Sequence, residues 1–308
     1  RLKVFTNNNN KKVFLSMRFL LVLMCSLFAV SSVSAKGPIY QSAIVYHPAS
    51  NKIIVDQKGY RERVPASLVK MMVGLIVMEQ VQAGVRSLGE TYTVTKKASK
   101  IGGHQVYLKQ GEVFKLRELL KATIIGSAND AAYSIAEHVA GSEKAFVKLM
   151  NAKAKKLGML HTRFVNAHGL PPGWRSRKSD NKTTAYDMAK LASALLQHES
   201  ILKLSSTEVS AFRNGTFQLL NTNRKFLRSY PGADGLKTGY TRKAGFSMVG
   251  TAVKNGERLI VVVMGAKKPK DRLKAAKYLL NKGFSKLTNL KSVAMSPAKS
   301  RHQAVALN

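Results

Sequence analysis

The chain has 308 residues, with 51 Lys plus Arg against 16 Asp plus Glu and a formal net charge of +35. Charged residues are 22% and apolar residues 45%, so the excess comes from scarce acids, and disorder or low complexity is excluded for most of the chain. The single Cys excludes a disulfide scaffold, a Cys-based zinc site and an iron–sulfur cluster.

Residues 1–16 are polar and include the run Asn7 to Asn10, whereas Met17-Arg18 opens a continuous apolar segment from Phe19 to Val30. One positive charge, an apolar stretch and then Val33-Ser34-Ala35 predict a secretory signal that starts at Met17 and is cleaved after Ala35. The apolar segment is shorter than the roughly 20 residues of a membrane-spanning helix. Cys25 follows Val22-Leu23-Met24, where a lipid-attachment site needs small residues, and reads as part of the signal. Without residues 1–35 the count is 46 basic against 16 acidic residues, or +30, with no Cys left, which suits an oxidising compartment outside the cytoplasm.

Ser42 to Tyr46 and Lys52 to Val55 are β-branched runs around His47-Pro48-Ala49-Ser50-Asn51 and predict a hairpin. Pro65 to Ala83 is apolar nearly all round and stops at Gly84, as a buried helix does. Lys115 to Ile125, Asn129 to Ala140, Ser142 to Leu157 and Thr184 to Gln197 continue the helical pattern, the last with Thr184 and Asp187 as a capping-box pair. A second hairpin, Gly245 to Val253 and Arg258 to Gly265, turns at Asn255-Gly256, and Asp271 to Lys282 is an amphipathic helix. Strands at both ends with helices between predict an α+β fold, an antiparallel sheet built from N- and C-terminal strands and flanked by helices, with an inserted helical region. The expected division is the signal to Ala35, a catalytic domain over 36–287, and a short basic tail over 288–308 with no second domain. No G-x-G-x-x-G, Walker A motif or internal repeat is present.

S-x-x-K occurs at Ser67–Lys70, Ser179–Lys182 and Ser200–Lys203. The first opens a strongly apolar helix just after Pro65, which puts Ser67 and Lys70 on one face a turn apart, where free N–H groups and the positive helix end suit a developing oxyanion. A Ser N-cap followed by a solvated Lys is the simpler account of that motif alone. Ser127-Ala128-Asn129 lies at a break between two helices, where capping is the alternative. Ser179-Asp180-Asn181 sits in the polar loop, where turn chemistry explains it. Lys237-Thr238-Gly239 is the only such triplet, placed just before the hairpin strands, and Gly there lets another backbone approach a sheet edge.

S-x-x-K, S-x-N and K-T-G therefore occur in that order, 60 and 110 residues apart. With Val64 to Met72, Gly126 to Asp130, Ala167-His168-Gly169-Leu170, Asp234 to Gly239 and Lys243-Ala244-Gly245-Phe246, the chain resembles the serine penicillin-recognising superfamily, over roughly residues 40–287. Within it, the likeness is to low-molecular-mass penicillin-binding proteins that are D-alanyl-D-alanine carboxypeptidases, with a β-lactamase/transpeptidase-like fold. The resemblance departs at Ala128, where the family often has Gly, and in the basic loop 171–182. It implies that Ser67 attacks the carbonyl between the last two D-alanines of a peptidoglycan stem peptide. Lys70 would be the base, neutralised by burial and by Lys237. It also implies that Ser127 relays a proton, Asn129 binds the substrate amide, and Lys237 with Thr238 and Gly239 holds the terminal carboxylate. The oxyanion hole would be the N–H groups of Ser67 and Tyr240. Arg272 matches a family Arg near the carboxylate pocket and equally reads as a solvated helix-start charge; His168 reads as structural.

No cofactor is implied, and the His residues show no metal-binding spacing. β-Lactam antibiotics are implied as covalent inhibitors. A class A β-lactamase needs a Glu in E-x-x-L-N before K-T-G, and Glu137, Glu143, Glu199 and Glu208 are not in that pattern. A basic nucleic-acid-binding protein fits the charge, but the signal directs the chain to the periplasm or cell envelope, so no nucleic-acid partner is expected. Basicity instead suits anionic wall polymer or acidic lipid headgroups.

Overall fold

The computed structural model describes residues 39–172 and 179–295. The expected signal, residues 173–178 of the basic loop, and the tail beyond Met295 lie outside the described residues. In chain order the elements are β1 (Ser42–His47), β2 (Lys52–Gln57), α1 (Lys70–Gln82), β3 (Thr91–Thr93), β4 (Val113–Lys115), α2 (Leu116–Ile124), α3 (Asn129–Ala140), α4 (Glu143–Lys156), α5 (Ala185–Leu195), α6 (Glu199–Ser206), β5 (Val209–Phe212), β6 (Phe217–Leu220), α7 (Arg224–Ser229), β7 (Ala233–Thr241), β8 (Gly245–Lys254), β9 (Glu257–Ala266) and α8 (Pro269–Met295).

Both expected hairpins form, and the N-terminal one joins the C-terminal one by pairing β1 with β9. The sheet order is β2-β1-β9-β8-β7, antiparallel throughout. Side chains alternate across it. Ile44, Tyr46, Ile260 and Val262 pack with α1, α2, α3 and α5, while Ala43, Val45, Val261 and Val263 pack with Ala276 and Leu280 of α8. Burial on both faces explains why these strands read as continuous apolar runs. Each fully buried Ile or Val contributes about 1.5–3 kcal/mol of transfer free energy.

Helix starts follow local chemistry. Ser142 caps α4 by accepting from Ala145 N at 3.2 Å, and Thr184 caps α5 by accepting from Asp187 N at 3.0 Å. The Thr184–Asp187 box is only half made, because the Asp187 carboxylate accepts from His161 N and from the Thr162 hydroxyl. The structure adds to or departs from the expected elements at four further points. The helix expected from Pro65 begins with a 3-10 turn, Ala66–Val69, so Lys70 is the first α-helical residue. Lys237-Thr238-Gly239 precedes the hairpin strands at a sheet edge, as expected, but lies inside a further strand, β7, that was not expected. The last helix starts at Pro269 and runs to Met295, so the boundary expected at 287/288 falls within it; Leu287 is buried on the sheet. The short hairpins β3–β4 and β5–β6 and helices α6 and α7 were not expected, being too short for a periodic pattern.

Candidate active site

Ser67 sits in the 3-10 turn, and Lys70 follows it one turn later, with Nζ 3.1 Å from Ser67 Oγ. Lys70 is fully buried. Its Nζ also donates to Asn129 Oδ1 at 2.7 Å and to the His168 carbonyl at 2.6 Å. Both of those oxygens only accept in this arrangement. A neutral amine has two N–H bonds and one lone pair, so the two acceptors take the hydrogens and the lone pair is left toward Ser67 Oγ. Burial first, and then the nearby Lys237 charge, hold the Lys70 pKa well below that of a free lysine, with Asp130 opposing them.

Ser127 and Asn129 come from the turn before α3. Ser127 adopts φ 61° and Ala66, beside the nucleophile, φ 50°. Such left-handed backbone at non-glycine residues costs about 1–3 kcal/mol and persists only where the surroundings impose it. Asp130 supplies part of that constraint by accepting from Val106 N and Leu108 N at 3.2 and 3.0 Å. Asn129 Nδ2 donates to Gly102 O at 2.8 Å, so the side chain that orients Lys70 has one N–H left for a ligand.

β7 closes the other side. Gly239 lies so near the nucleophile turn that a Cβ there would stand 2.8 Å from Pro65 O and 3.1 Å from Ser67 N. Gly169 approaches the same peptide unit from the His168 side, where a Cβ would be 2.2 Å from Ala66 O. These two glycines allow strand edge and turn to close on Ser67. Thr238 Oγ1 donates to Thr222 Oγ1 at 2.7 Å, and the exposed Tyr240 ring stacks on Phe246 at 4.1 Å.

A groove of about 470 Å3 is lined by Ser67, Ser127, Asn129, Thr238, Gly239, Tyr240 and Arg272, among others. Lys237 is not among its lining residues. It is 1% exposed, and its Nζ donates to Thr238 O at 3.3 Å. Burial, reinforced by Arg272, brings its pKa to about 7. Thr238 and Arg272 line the groove. Arg272 is not a solvated helix-start charge: burial lowers its pKa to about 10, and its Nη1 donates to Ser247 O at 3.4 Å.

Sequence reasoning passed over several residues. His104 lines the groove, and its carbonyl accepts from Asn129 N at 2.7 Å; burial, then Lys237 and Lys70, lower its pKa. Asn166 holds the turn that presents the His168 carbonyl, accepting from Gly169 N at 2.7 Å and donating to Leu170 O at 2.9 Å. Asn181, set aside as turn chemistry, donates to Asn166 Oδ1 at 3.0 Å and so supports that turn. The His168 ring is neutral, its pKa lowered to about 3 by burial and then by Lys70. Among the described residues, no cluster of three or more His, Cys, Asp or Glu could hold a metal ion.

An antiparallel sheet with a helical insertion, carrying Ser67-x-x-Lys70, Ser127-x-Asn129 and Lys237-Thr238-Gly239 around one groove, defines a β-lactamase-like serine hydrolase fold. The family model described as D-alanyl-D-alanine carboxypeptidase, peptidase S11, matches residues 30–268, and the chain belongs to that family. It is 36% identical over 269 residues to the D-alanyl-D-alanine carboxypeptidase DacF of Bacillus subtilis (strain 168), covering 86% of this chain. It is 34% identical to DacC of Escherichia coli (strain K12), again over 86% of this chain. In both cases the match spans 66% of the relative, just under two thirds of its length. Among solved structures, ampicillin-bound penicillin-binding protein D2 from Listeria monocytogenes superposes with a TM-score of 0.72 at 31% identity, over 80% of this chain and 98% of that one.

Proposed function

We propose that this chain is a serine-type D-alanyl-D-alanine carboxypeptidase that removes the terminal D-alanine from peptidoglycan stem peptides and is acylated by β-lactams at Ser67. The observation that carries the reading is the buried Lys70 amine, 3.1 Å from Ser67 Oγ, with two carbonyl-type acceptors on its other sides. Its lone pair takes the Ser67 proton as Oγ attacks the carbonyl carbon. The N–H groups of Ser67 and Tyr240, on facing backbones, receive the oxyanion. Ser127 passes the proton to the leaving amine, and D-alanine departs with its carboxylate on Arg272 and the Thr238 hydroxyl. Lys237, itself buried, keeps Lys70 neutral. Water then attacks the acyl-enzyme, with Lys70 again as base. Asn129 offers its remaining N–H to the substrate amide.

No carboxylate is among the residues lining the groove. A penicilloyl group on Ser67 therefore has no Glu to activate water against it and is long-lived, which favours this reading over a β-lactamase. The expected workplace is the cell envelope. Exposed Lys274, Lys282 and Lys286 on α8 suit anionic polymer or lipid headgroups. No helix among the described residues is long and apolar enough to cross a membrane. The test is intact-mass analysis after exposure to a fluorescent penicillin, together with D-alanine release from a stem-peptide substrate. One adduct mapping to Ser67, with both adduct and release absent in Ser67→Ala, is expected; an adduct that persists in that variant overturns the assignment.

A further inference from the structure

Glu143, the first residue of α4, is not among the residues lining the groove. Its side chain is largely buried, and its Oε1 accepts from Ala167 N at 3.0 Å and lies 3.4 Å from His168 Nε2. On the other edge of the same ring, Nδ1 accepts from Leu170 N at 3.1 Å. A neutral imidazole has one N–H and one lone pair. Nδ1 spends the lone pair on Leu170, so the hydrogen is on Nε2 and faces the carboxylate, the tautomer that Glu143 favours. One carboxylate thus holds the turn by a backbone N–H and by a ring. Between those two holds the turn offers His168 O to Lys70 Nζ at 2.6 Å, and at Gly169 it passes so near Ala66 O that a Cβ would be 2.2 Å away.

We propose that Glu143 is a positioning residue for acylation: through Ala167 N and the His168 ring it fixes the carbonyl that takes one hydrogen of Lys70, and so aims the Lys70 lone pair at Ser67 Oγ. The inference rests on the proposed role of Lys70 as the base. Glu143 lies outside the groove and works as an acceptor, not as a charge: the groups that shift Lys70 are its own burial, Lys237 and Asp130. Releasing the turn changes Lys70 in two ways. The lone pair loses its direction, and the ammonium form, which binds a carbonyl more tightly than the neutral amine does, loses an acceptor. Acylation then slows at every pH, and the pH at which Lys70 gives up its proton moves down, because a hydrogen bond to the charged form no longer supports it. The other titratable groups around Lys70 are Lys237, Asp130, His104 and the His168 ring, and all four stay in the chain in the variants that test this.

The experiment follows acylation by a fluorescent penicillin in a stopped-flow instrument, as a rate constant against pH, for the wild type, Glu143→Ala and Glu143→Gln. A rate constant does not depend on how much of a variant is folded. Glu143→Ala should lower the alkaline plateau by about tenfold or more and move the acid limb to lower pH by about half a unit. Glu143→Gln keeps the accepting oxygen and should recover most of both changes. A Glu143→Ala plateau within about twofold of wild type, an acid limb that stays in place, or a Gln variant as slow as the Ala one overturns the positioning role. A wild type that penicillin does not acylate at all overturns the Ser67–Lys70 reading itself, and the role of Glu143 with it.

Discussion

Two lysines, both buried from water, stand on opposite sides of the groove and are treated differently. Lys70, on the helical side, has three oxygens at 2.6–3.1 Å, each delivered by a different segment. Lys237, on the strand side, has the carbonyl of its own neighbour at 3.3 Å and the repulsion of Arg272. Burial pushes both amines toward neutrality, and they differ in the groups held around them. The helical side is thus arranged to aim a lone pair. The strand side is left short of negative charge, which a substrate carboxylate can provide.

The sharpest way to break this comparison is Lys70→Arg, which keeps a cation but cannot deprotonate. Acylation by penicillin, followed by stopped-flow fluorescence, should fall by about a hundredfold or more, close to the loss in Lys70→Ala. Retention of more than about a tenth of the wild-type rate would show that position 70 needs only charge.

The strand side is tested by the substrate. Amidating the terminal carboxylate of a D-alanyl-D-alanine peptide removes a charge-assisted hydrogen bond of about 1.5–3 kcal/mol and should lower kcat/KM at least about tenfold. Arg272→Ala should erase that margin. Lys237→Ala should slow acid and amide substrates alike, because its effect travels through Lys70. If Lys237→Ala erased the margin and Arg272→Ala left it intact, Lys237 would be the carboxylate ligand after all.

pH separates the two lysines in a third way. Acylation should rise with pH as Lys70 loses its proton, since only the neutral amine carries the lone pair. For stability, the Lys237 pKa is lowered from 10.5 unfolded to about 7 folded. Between those values the unfolded chain binds the extra proton, so unfolding free energy increases with pH there. Below about 7 both states are protonated and the burial penalty is fully present. Lys237→Met should flatten the rise of Tm between pH 7 and 10 measured by calorimetry, whereas an unchanged slope would mean that Lys237 titrates normally.

The smallest effect is expected where the two sides are clasped at the surface. Lys243 Nζ, in the turn after β7, lies 2.5 Å from Asp180 Oδ2 in the loop after the His168 turn. The Lys243 side chain is 69% exposed, so Lys243→Ala should change stability by less than about 1 kcal/mol in a denaturant titration. A larger loss would make this clasp part of what holds the groove closed.

The chain's own pattern determined much of this. Apolar runs around His47–Asn51 and Asn255-Gly256 are hairpins because turn chemistry and β-branching are local properties, and the helix starts at Ser142 and Thr184 follow from one side chain reaching one backbone N–H. The order of Ser67, Lys70, Ser127, Asn129, Lys237 and Thr238 was legible as motifs before any of them met in space. Only the tertiary structure decided which oxygens surround Lys70, since His168 lies 98 residues further along and contributes a carbonyl that every residue type possesses. It alone buried Lys237 and put Arg272 in the wall of the groove, because a strand's sequence does not say which neighbours cover its edge. It also carried α8 past Lys282 to Met295, with Phe284 and Leu287 buried on the sheet face opposite the catalytic helices. Local patterns report contacts a few residues apart; a buried charge's pKa and partners are set by whatever the rest of the chain brings to it.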